Sequence, residues 1–522
     1  MLFIRTNKNQ TPSKRGQLNP ESFMNIKNLF TRLGGASCAA WVLPALIAGL
    51  GLIPAGRVTA QTFTTLHSFN YSDGNFPVAG LILSGNTLYG TAEVGGTNGN
   101  GTVFAVNTGG TGFTNLYSFT AASGALSTNS DGAAPVAGLI LSGNTLYGTA
   151  ANGGSSGNGT VFAVNTDGTG FTNLHSFTAF SSLYPYGNSD GGYPFAGLIL
   201  SGNTLYGTAS RGGSSDNGTV FRLNTAGTGF TNLYTFTGGS DGAEPDAGLL
   251  LSGNTLYGTA YYGGRSSDGT VFAVNTDGTG FTNLHTFTVT TAGTNSDGAY
   301  PYAGLILSGN TLYGTAQYGG SLGNGTVFRL NTDGTGFTNL HSFTAFSSLY
   351  PFGNSDGANP NAGLILSGNT LYGTAEDGGS PGNGTVFAVN TDGTGFTTLH
   401  SFTATSGPFI NSDGAYPYAG LILSGYTLYG TAAYGGSSGN GTVFSLSFAP
   451  QLTIIRSGAN VILTWPTHVA GFNYSGFTLQ STTNLVSPAV WNTVSPAPVI
   501  VNGRNTVTNS ISGTQKFYRL SL

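Results

Sequence analysis

The chain reads as all-β: a seven-bladed β-propeller closed by an N-terminal strand, followed by a small immunoglobulin- or fibronectin-like β-sandwich. Three observations predict this. The segment AGLILSGNTLYGTA, residues 137–150, recurs seven times, its tyrosine falling at Tyr89, Tyr147, Tyr206, Tyr257, Tyr313, Tyr372 and Tyr429. A sustained long period of this kind marks a repeat architecture. Each unit holds four strand-length runs and no helical period, which describes one propeller blade. Finally, the array opens on a lone fourth run, FTTLHSF from Phe63, and stops after a third run at Ser447. The first run can therefore complete the last blade, and closure removes the unpaired sheet edges of an open array.

Residues 1–60 read as a targeting segment. Lys8, Lys14, Lys27 and Arg32 precede an apolar region from Cys38 to Ala55, and Val58-Thr59-Ala60 supplies small residues before Gln61. This is the order of a secretory signal peptide, with Met1 and Met24 both open as the start. An uncleaved anchor is the alternative, since the apolar region approaches spanning length. Cys38 is the single cysteine, so the cleaved chain is expected to hold no disulfide.

Residues 61–447 are the repeats. AGLILS suits a strand buried on both faces. Gly143-Asn144 fit a two-residue hairpin turn before the strand TLYGTA. The loop GGSSGNG leads to the strand TVFAVN, and the Asp-Gly of TDGTG signals a second hairpin before FTNLHSFT. A loop of variable length ending in SDG and a proline completes the unit. Residues 448–522 abandon the repeat. They offer seven short runs (LTIIR, NVILTW, GFTLQST, WNTV, VIVNG, TVTNS, FYRLSL), with Trp465 and Trp491 as the expected core aromatics.

Charge excludes several partners. Residues 61–447 carry four basic side chains (Arg211, Arg222, Arg265, Arg329) against 18 acidic ones. Nucleic acid and anionic membrane surfaces both want basic patches, so neither is expected as a partner. A monomer without membrane contact after signal cleavage is the expected form.

The unit AGLILSGNTLYGTAxxGG..GNGTVFAVNTDGTGFTNLHSF resembles the GloVer repeat, over about Gln61 to Ser447. The resemblance implies a bacterial, exported, surface or extracellular protein and assigns no activity. The tail, with LTWP, GFTLQSTTNL and FYRL, resembles a small β-sandwich appended to many secreted bacterial proteins.

Two sets of residues are candidates for chemistry. Asp73, Asp131, Asp190, Asp241, Asp297, Asp356 and Asp413 each open an SDG loop with a proline four residues on. A ring of these carboxylates would suit Ca²⁺, a hard cation with oxygen ligands. The local alternative, which we favour, is that each Asp caps its own turn. No other cofactor is expected. The second set varies at the two positions before the paired glycines: Glu93, Arg211, Tyr261-Tyr262, Tyr318, Glu376-Asp377 and Tyr434. Variable polar and aromatic residues on a fixed scaffold are where a ligand is read. Here an extracellular glycan or protein is the expected ligand, against simple drift at loop tips. His67, His175, His285, His341 and His400 alternate with Tyr117 and Tyr234 in the fourth runs. That interchange suits a half-buried aromatic site, and no repeat is expected to bring His and Asp together with a nucleophile. The chain is therefore read as a non-catalytic binding or structural protein. A propeller-type glycoside hydrolase or polysaccharide lyase is the first alternative, and a purely structural envelope component the second.

Overall fold

The computed structural model describes residues 61–124, 126–347, 353–486, 488–511 and 515–522. The targeting segment expected over residues 1–60 lies outside the described residues. Among the described residues every regular element is a strand, and no helix is long and apolar enough to cross a membrane.

The repeats form seven four-stranded antiparallel sheets. The first consists of Ile82–Ser84, Thr87–Ala92, Thr102–Asn107 and Thr114–Ser118, in that order across the sheet. Five more with the same order begin at Ile140, Ile199, Leu250, Ile306 and Ile365. The seventh begins at Ile422, and its outermost strand is Thr62–Ser68 from the other end of the repeats, paired antiparallel with Thr442–Ser447.

AGLILS departs from expectation. Only its last three residues form a strand, and in Ile140–Ser142 they are half-buried to exposed. This strand is the free edge of its sheet. The two middle strands are the ones buried on both faces: Leu146 through Ala150, and Thr160 through Val164, are buried throughout. The glycine of TLYGTA follows from this. A Cβ on Gly148 would stand 2.6 Å from Phe162 Cζ and 2.7 Å from Leu139 Cδ2, so the phenylalanine of the third strand packs over bare backbone.

The core lies between successive sheets. Tyr89, Val103 and Phe119 of the first sheet interdigitate with Leu139, Leu146, Phe162 and Val164 of the second. Tyr429 and Val443 of the seventh sheet, with Leu66 and Phe69 of its outer strand, meet Leu88, Phe104 and Val106 of the first. Each fully buried side chain of this size contributes about 1.5–3 kcal/mol.

Three sets of contacts run from sheet to sheet and close on themselves. Thr91, Thr149, Thr208, Thr259, Thr315 and Thr374 each donate Oγ1 to an alanine carbonyl of the next sheet, and Thr431 donates to Ala79 of the first. Along the outer strands, Tyr117 stacks on Phe171 at 3.8 Å and His175 on Phe230 at 3.9 Å. The series ends with His400 on Phe63 at 4.1 Å and His67 on Phe113 at 3.7 Å. Along the inner edge, the Cβ position of Gly138 lies 3.1 Å from Gly80 O, that of Gly197 3.0 Å from Gly138 O, and that of Gly80 3.6 Å from Gly420 O. The innermost strands thus crowd around a common axis, most tightly at Gly138 and Gly197, where a side chain would force its neighbour to give way.

After Ser447 the chain builds a four-stranded sheet (Thr453–Ser457, Asn460–Pro466, Arg504–Ser510, Val499–Val501) and a three-stranded one (Asn492–Thr493, Thr478–Thr482, Phe517–Ser521). Leu463, Trp465 and Val507 of the first pack with Leu479 of the second and with Val494. Trp465 is the expected core residue. Trp491 is not: it is only half-buried and lies beneath Arg519, whose guanidinium carbon is 4.3 Å from the ring centroid. The sequence reading also missed a hairpin, His468–Val469 with Phe472–Asn473, which docks on the last two repeat sheets. Ala470 accepts a 2.6 Å hydrogen bond from the Tyr372 hydroxyl, and Phe472 stacks on Tyr372 and Phe448. Tyr426, which replaces the asparagine of the other SGNT turns, packs on Phe472, Tyr474 and Phe477.

Candidate functional site

The SDG loops and the loops after the second strands share one face of the ring. Isolated bridges join Asn75 to Val94, Ala133 to Asn152, Gly192 to Arg211, Ala243 to Tyr262, Ala299 to Tyr318, Ala358 to Asp377 and Ala415 to Tyr434. The residue that follows each of the first-named partners has positive φ, and its side chain differs from sheet to sheet: Phe76, Ala134, Tyr193, Glu244, Tyr300, Asn359, Tyr416. A proline comes next, then a residue at the head of the innermost strand: Val78, Val136, Phe195, Asp246, Tyr302, Asn361 or Tyr418.

The seven SDG aspartates are not brought together. Each binds its own loop. Asp131 accepts bonds from the Tyr117 hydroxyl at 2.8 Å, from Thr120 N at 2.8 Å and from Thr120 Oγ1. Asp241 repeats this with Tyr234 and Thr237. In Asp190, Asp297, Asp356 and Asp413 a histidine Nε2 at 3.0 Å replaces the tyrosine. Asp73 takes Asn70 N and Nδ2 instead and stands 3.2 Å from His67 Nε2. These bonds occupy the oxygens that a calcium ring requires. Among the described residues no three His, Cys, Asp or Glu side chains gather as a metal site.

One reading is corrected here. His and Asp do meet a hydroxyl, as in His175, Asp190 and Thr178. Both side chains bind the same carboxylate, however, so the arrangement orders a loop and activates no nucleophile. Burial pushes Asp297, Asp356 and Asp413 up, but the bonds from histidine and threonine outweigh it and hold all three below the usual carboxylate range.

The variable positions do converge. Tyr261, Tyr262, Tyr300, Tyr302 and Tyr318 form one aromatic cluster on the fourth and fifth sheets. Tyr262 lies 4.6 Å from Tyr261 and 5.5 Å from Tyr300, and Tyr302 lies 5.7 Å from Tyr261. The Tyr261 hydroxyl donates to Gln317 Oε1 at 3.0 Å. Tyr434 joins Phe76, Phe409 and Tyr416 in a second cluster. Between the two lies the sixth sheet, where Asn359 donates to Asp377 at 2.7 Å and Asn361 donates to Glu376. Glu376 also takes a hydrogen bond from Tyr418 of the seventh sheet. Tyr262, Tyr302 and Tyr318 stay 41%, 37% and 39% exposed, so the aromatic surface is open to solvent beside the carboxylates.

Burial dominates the electrostatics. It raises Glu93 and Asp377, the latter against the Asn359 bond. It raises Glu376 to about 7, opposed by the Tyr418 and Asn361 bonds and reinforced by Asp377. It raises Asp246 to about 7, opposed by a Ser210 bond. The Tyr302 hydroxyl is raised by desolvation and, at longer range, by the charges of Asp246, Glu93 and Glu376 on three other sheets. The Arg211 guanidinium, which opposes the rise at Asp246, is held by Glu244 at 2.8 Å. Glu93 also borders a groove of ≈ 570 Å³ that runs past Asn100 and Asn152 to Tyr193.

A model of the Gloeobacter/Verrucomicrobia repeat matches residues 49–189, 178–348 and 344–484, well over half of the chain. The chain belongs to the Gloeobacter/Verrucomicrobia repeat family. Its frame residues are those common to all seven sheets, and the clusters above are built from positions that the frame leaves free. No curated protein sequence matches the chain. Among solved structures, the GH74 enzyme of Niastella koreensis is 14% identical over 88% of this chain and 72% of its own, with a TM-score of 0.43. An oligogalacturonate lyase in complex with manganese is 11% identical over 74% and 92%, with a TM-score of 0.44. A nidogen/laminin complex gives 16% identity over 53% and 82%, with a TM-score of 0.32. Enzymes and non-enzymes both occur among them, and likeness at this level assigns no activity to the repeat family member described here.

Asp246, Tyr302, Asn361 and Tyr418 were missed by the sequence reading. The signal was present: the residue after the SDG-loop proline reads V, V, F, D, Y, N, Y across the seven units.

Proposed function

We propose that this repeat protein is an exported, non-catalytic binding module: a seven-bladed propeller with a C-terminal β-sandwich that recognises an extracellular saccharide on its loop face. The reading is carried by Tyr262, Tyr302 and Tyr318, exposed and linked through Tyr261 and Tyr300 beside half-buried carboxylates, on a ring whose frame positions hardly vary. Aromatic faces stack on sugar rings, and a few fixed polar groups supply orientation. The shortage of basic residues favours neutral or amine-bearing glycans over sulfated or uronate-rich ones. Export rests on the targeting pattern before Gln61.

Titration calorimetry of the purified chain against neutral and amino-sugar oligosaccharides tests this. Binding is expected, and Tyr262→Ala with Tyr318→Ala is expected to weaken it by about tenfold or more, equivalent to roughly 1.4 kcal/mol. Undiminished binding in the double variant rules out the tyrosine face. Absence of binding to every saccharide rules out the function.

A hydrolase or lyase reading draws on Asp246 and Glu376, which burial holds near the value a general acid needs at neutral pH. Release of new reducing ends by the purified chain would favour it.

A further inference from the structure

We propose that Asp246, Asn361 and Glu376 form a subsite at the axial mouth for a protonated primary amine carried on the saccharide; this deepens, and rests on, the saccharide reading above. Asp246 and Asn361 occupy equivalent places, just after the proline, on the fourth and sixth sheets, and Tyr302 occupies that place on the fifth. Asn361 is only 6% exposed, and its Oδ1 is buried with no hydrogen-bond partner. Asp246 Oδ1 is likewise buried and unpartnered. A buried acceptor without a donor costs about 1–3 kcal/mol. Two at matching positions around one exposed tyrosine describe a site built to receive donors.

The surroundings select the donor. Facing Asp246 are Ser210, Glu244, Arg211 and Tyr302; facing Glu376 are Asn361, Asp377, Tyr318 and Tyr418. Of the four basic residues in the ring, Arg211 is tied to Glu244, and Arg222 and Arg329 donate to Thr276 O and Thr391 O. Arg265 is exposed in the loop after the second strand of the fourth sheet. The mouth is thus rich in acceptors, and the one cation that faces it, Arg211, is already paired with Glu244. An ammonium brings three donors and a positive charge. Its approach favours the ionised carboxylates, so protons leave Asp246 and Glu376 as it binds.

The test compares a glucosamine tetramer with an N-acetylglucosamine tetramer on the full chain by calorimetry, in two buffers of different ionisation enthalpy. The expected result is about tenfold tighter binding of the free amine, with net proton release. In Asp246→Asn with Glu376→Gln the preference for the free amine over the acetylated tetramer falls to about threefold or less. Tyr262→Ala weakens both ligands alike. A thermal melt confirms that each variant is folded. Equal binding of the two tetramers overturns the amine subsite and leaves the saccharide reading standing. Binding of neither overturns both.

Discussion

Thr431 donates its hydroxyl to the carbonyl oxygen of Ala79, 352 residues away in sequence, at 3.0 Å. The other six sheets make the same bond to their immediate successors, at 2.9–3.1 Å. The seventh interface is therefore equivalent to the rest. Deleting residues 61–69 removes the outer strand of the seventh sheet and exposes Thr442–Ser447 as a bare edge. The deleted chain is expected to self-associate in light scattering, whereas the intact chain stays monomeric. A monomeric deletion variant with an unchanged melt would contradict the seam.

Glycines divide by what lies above them. Gly148→Ala drives a methyl into Phe162 and Leu139, both at under 3 Å, and is expected to cost about 1–3 kcal/mol as overpacking. Gly248→Ala meets only Gly197 O at 3.5 Å, an ordinary contact. It is expected to melt within about 2–4 °C of the parent. Equal losses in the two variants would refute the packing account.

The outer-strand histidines are expected to be exchangeable for tyrosine but not for phenylalanine. Tyr117 already does for Asp131 what His175 does for Asp190. His175→Tyr should be nearly neutral. His175→Phe keeps the stack on Phe230 but leaves a buried carboxylate short of a donor, a loss of about 1–3 kcal/mol in chemical denaturation. A chelator should leave both melts unmoved, since these carboxylates are already bonded. A chelator-induced drop would restore calcium.

Stability should peak on the acid side of neutrality. Asp246 and Glu376 sit at about 7 in the fold, above their unfolded values of about 4. The folded state therefore holds more protons than the unfolded one between these values, and stability falls as pH rises through that window. Asp297, Asp356 and Asp413 are lowered in the fold. Their contribution is complete above the unfolded value of about 4 and is lost as pH falls below it. Asp246→Asn with Glu376→Gln should flatten the melting profile from weakly acid to neutral pH and leave the acid limb intact. An unchanged slope would remove both groups from the account.

Tyr426→Asn restores the turn of the other six repeats and strips an aromatic from the hairpin contact with Phe472, Tyr474 and Phe477. Loss of this packing is expected to cost about 2–3 kcal/mol locally. Limited proteolysis should then cut between residues 449 and 475, where the parent resists. Equal protection in parent and variant would show that the hairpin is held otherwise.

Much of the ring was legible because its causes are local. Asp-Gly and Gly-Asn turns, runs of strand length, and complementary end runs are all written along the chain. The partnership of His175 with Asp190 was not, because the variable loop between them hides which carboxylate closes on which ring. The mouth was half legible. Tyr262 and Glu376 vary at a visible pair of positions, whereas Asp246 and Asn361 are single changes beside an unvarying proline. Trp491 misled because indole is usually buried, and here Arg519 covers it instead.

The strand Thr62–Ser68 precedes every other strand among the described residues, yet its partner, Thr442–Ser447, is the last of the repeats to be synthesised. During translation and any passage to a destination, the chain carries an adhesive strip whose mate does not yet exist. Six interchangeable third strands emerge first, each offering nearly the same hydrogen-bonding template. Each of those six is followed at once by a fourth strand of its own, so the seventh is the one edge left vacant for the earliest strand to occupy.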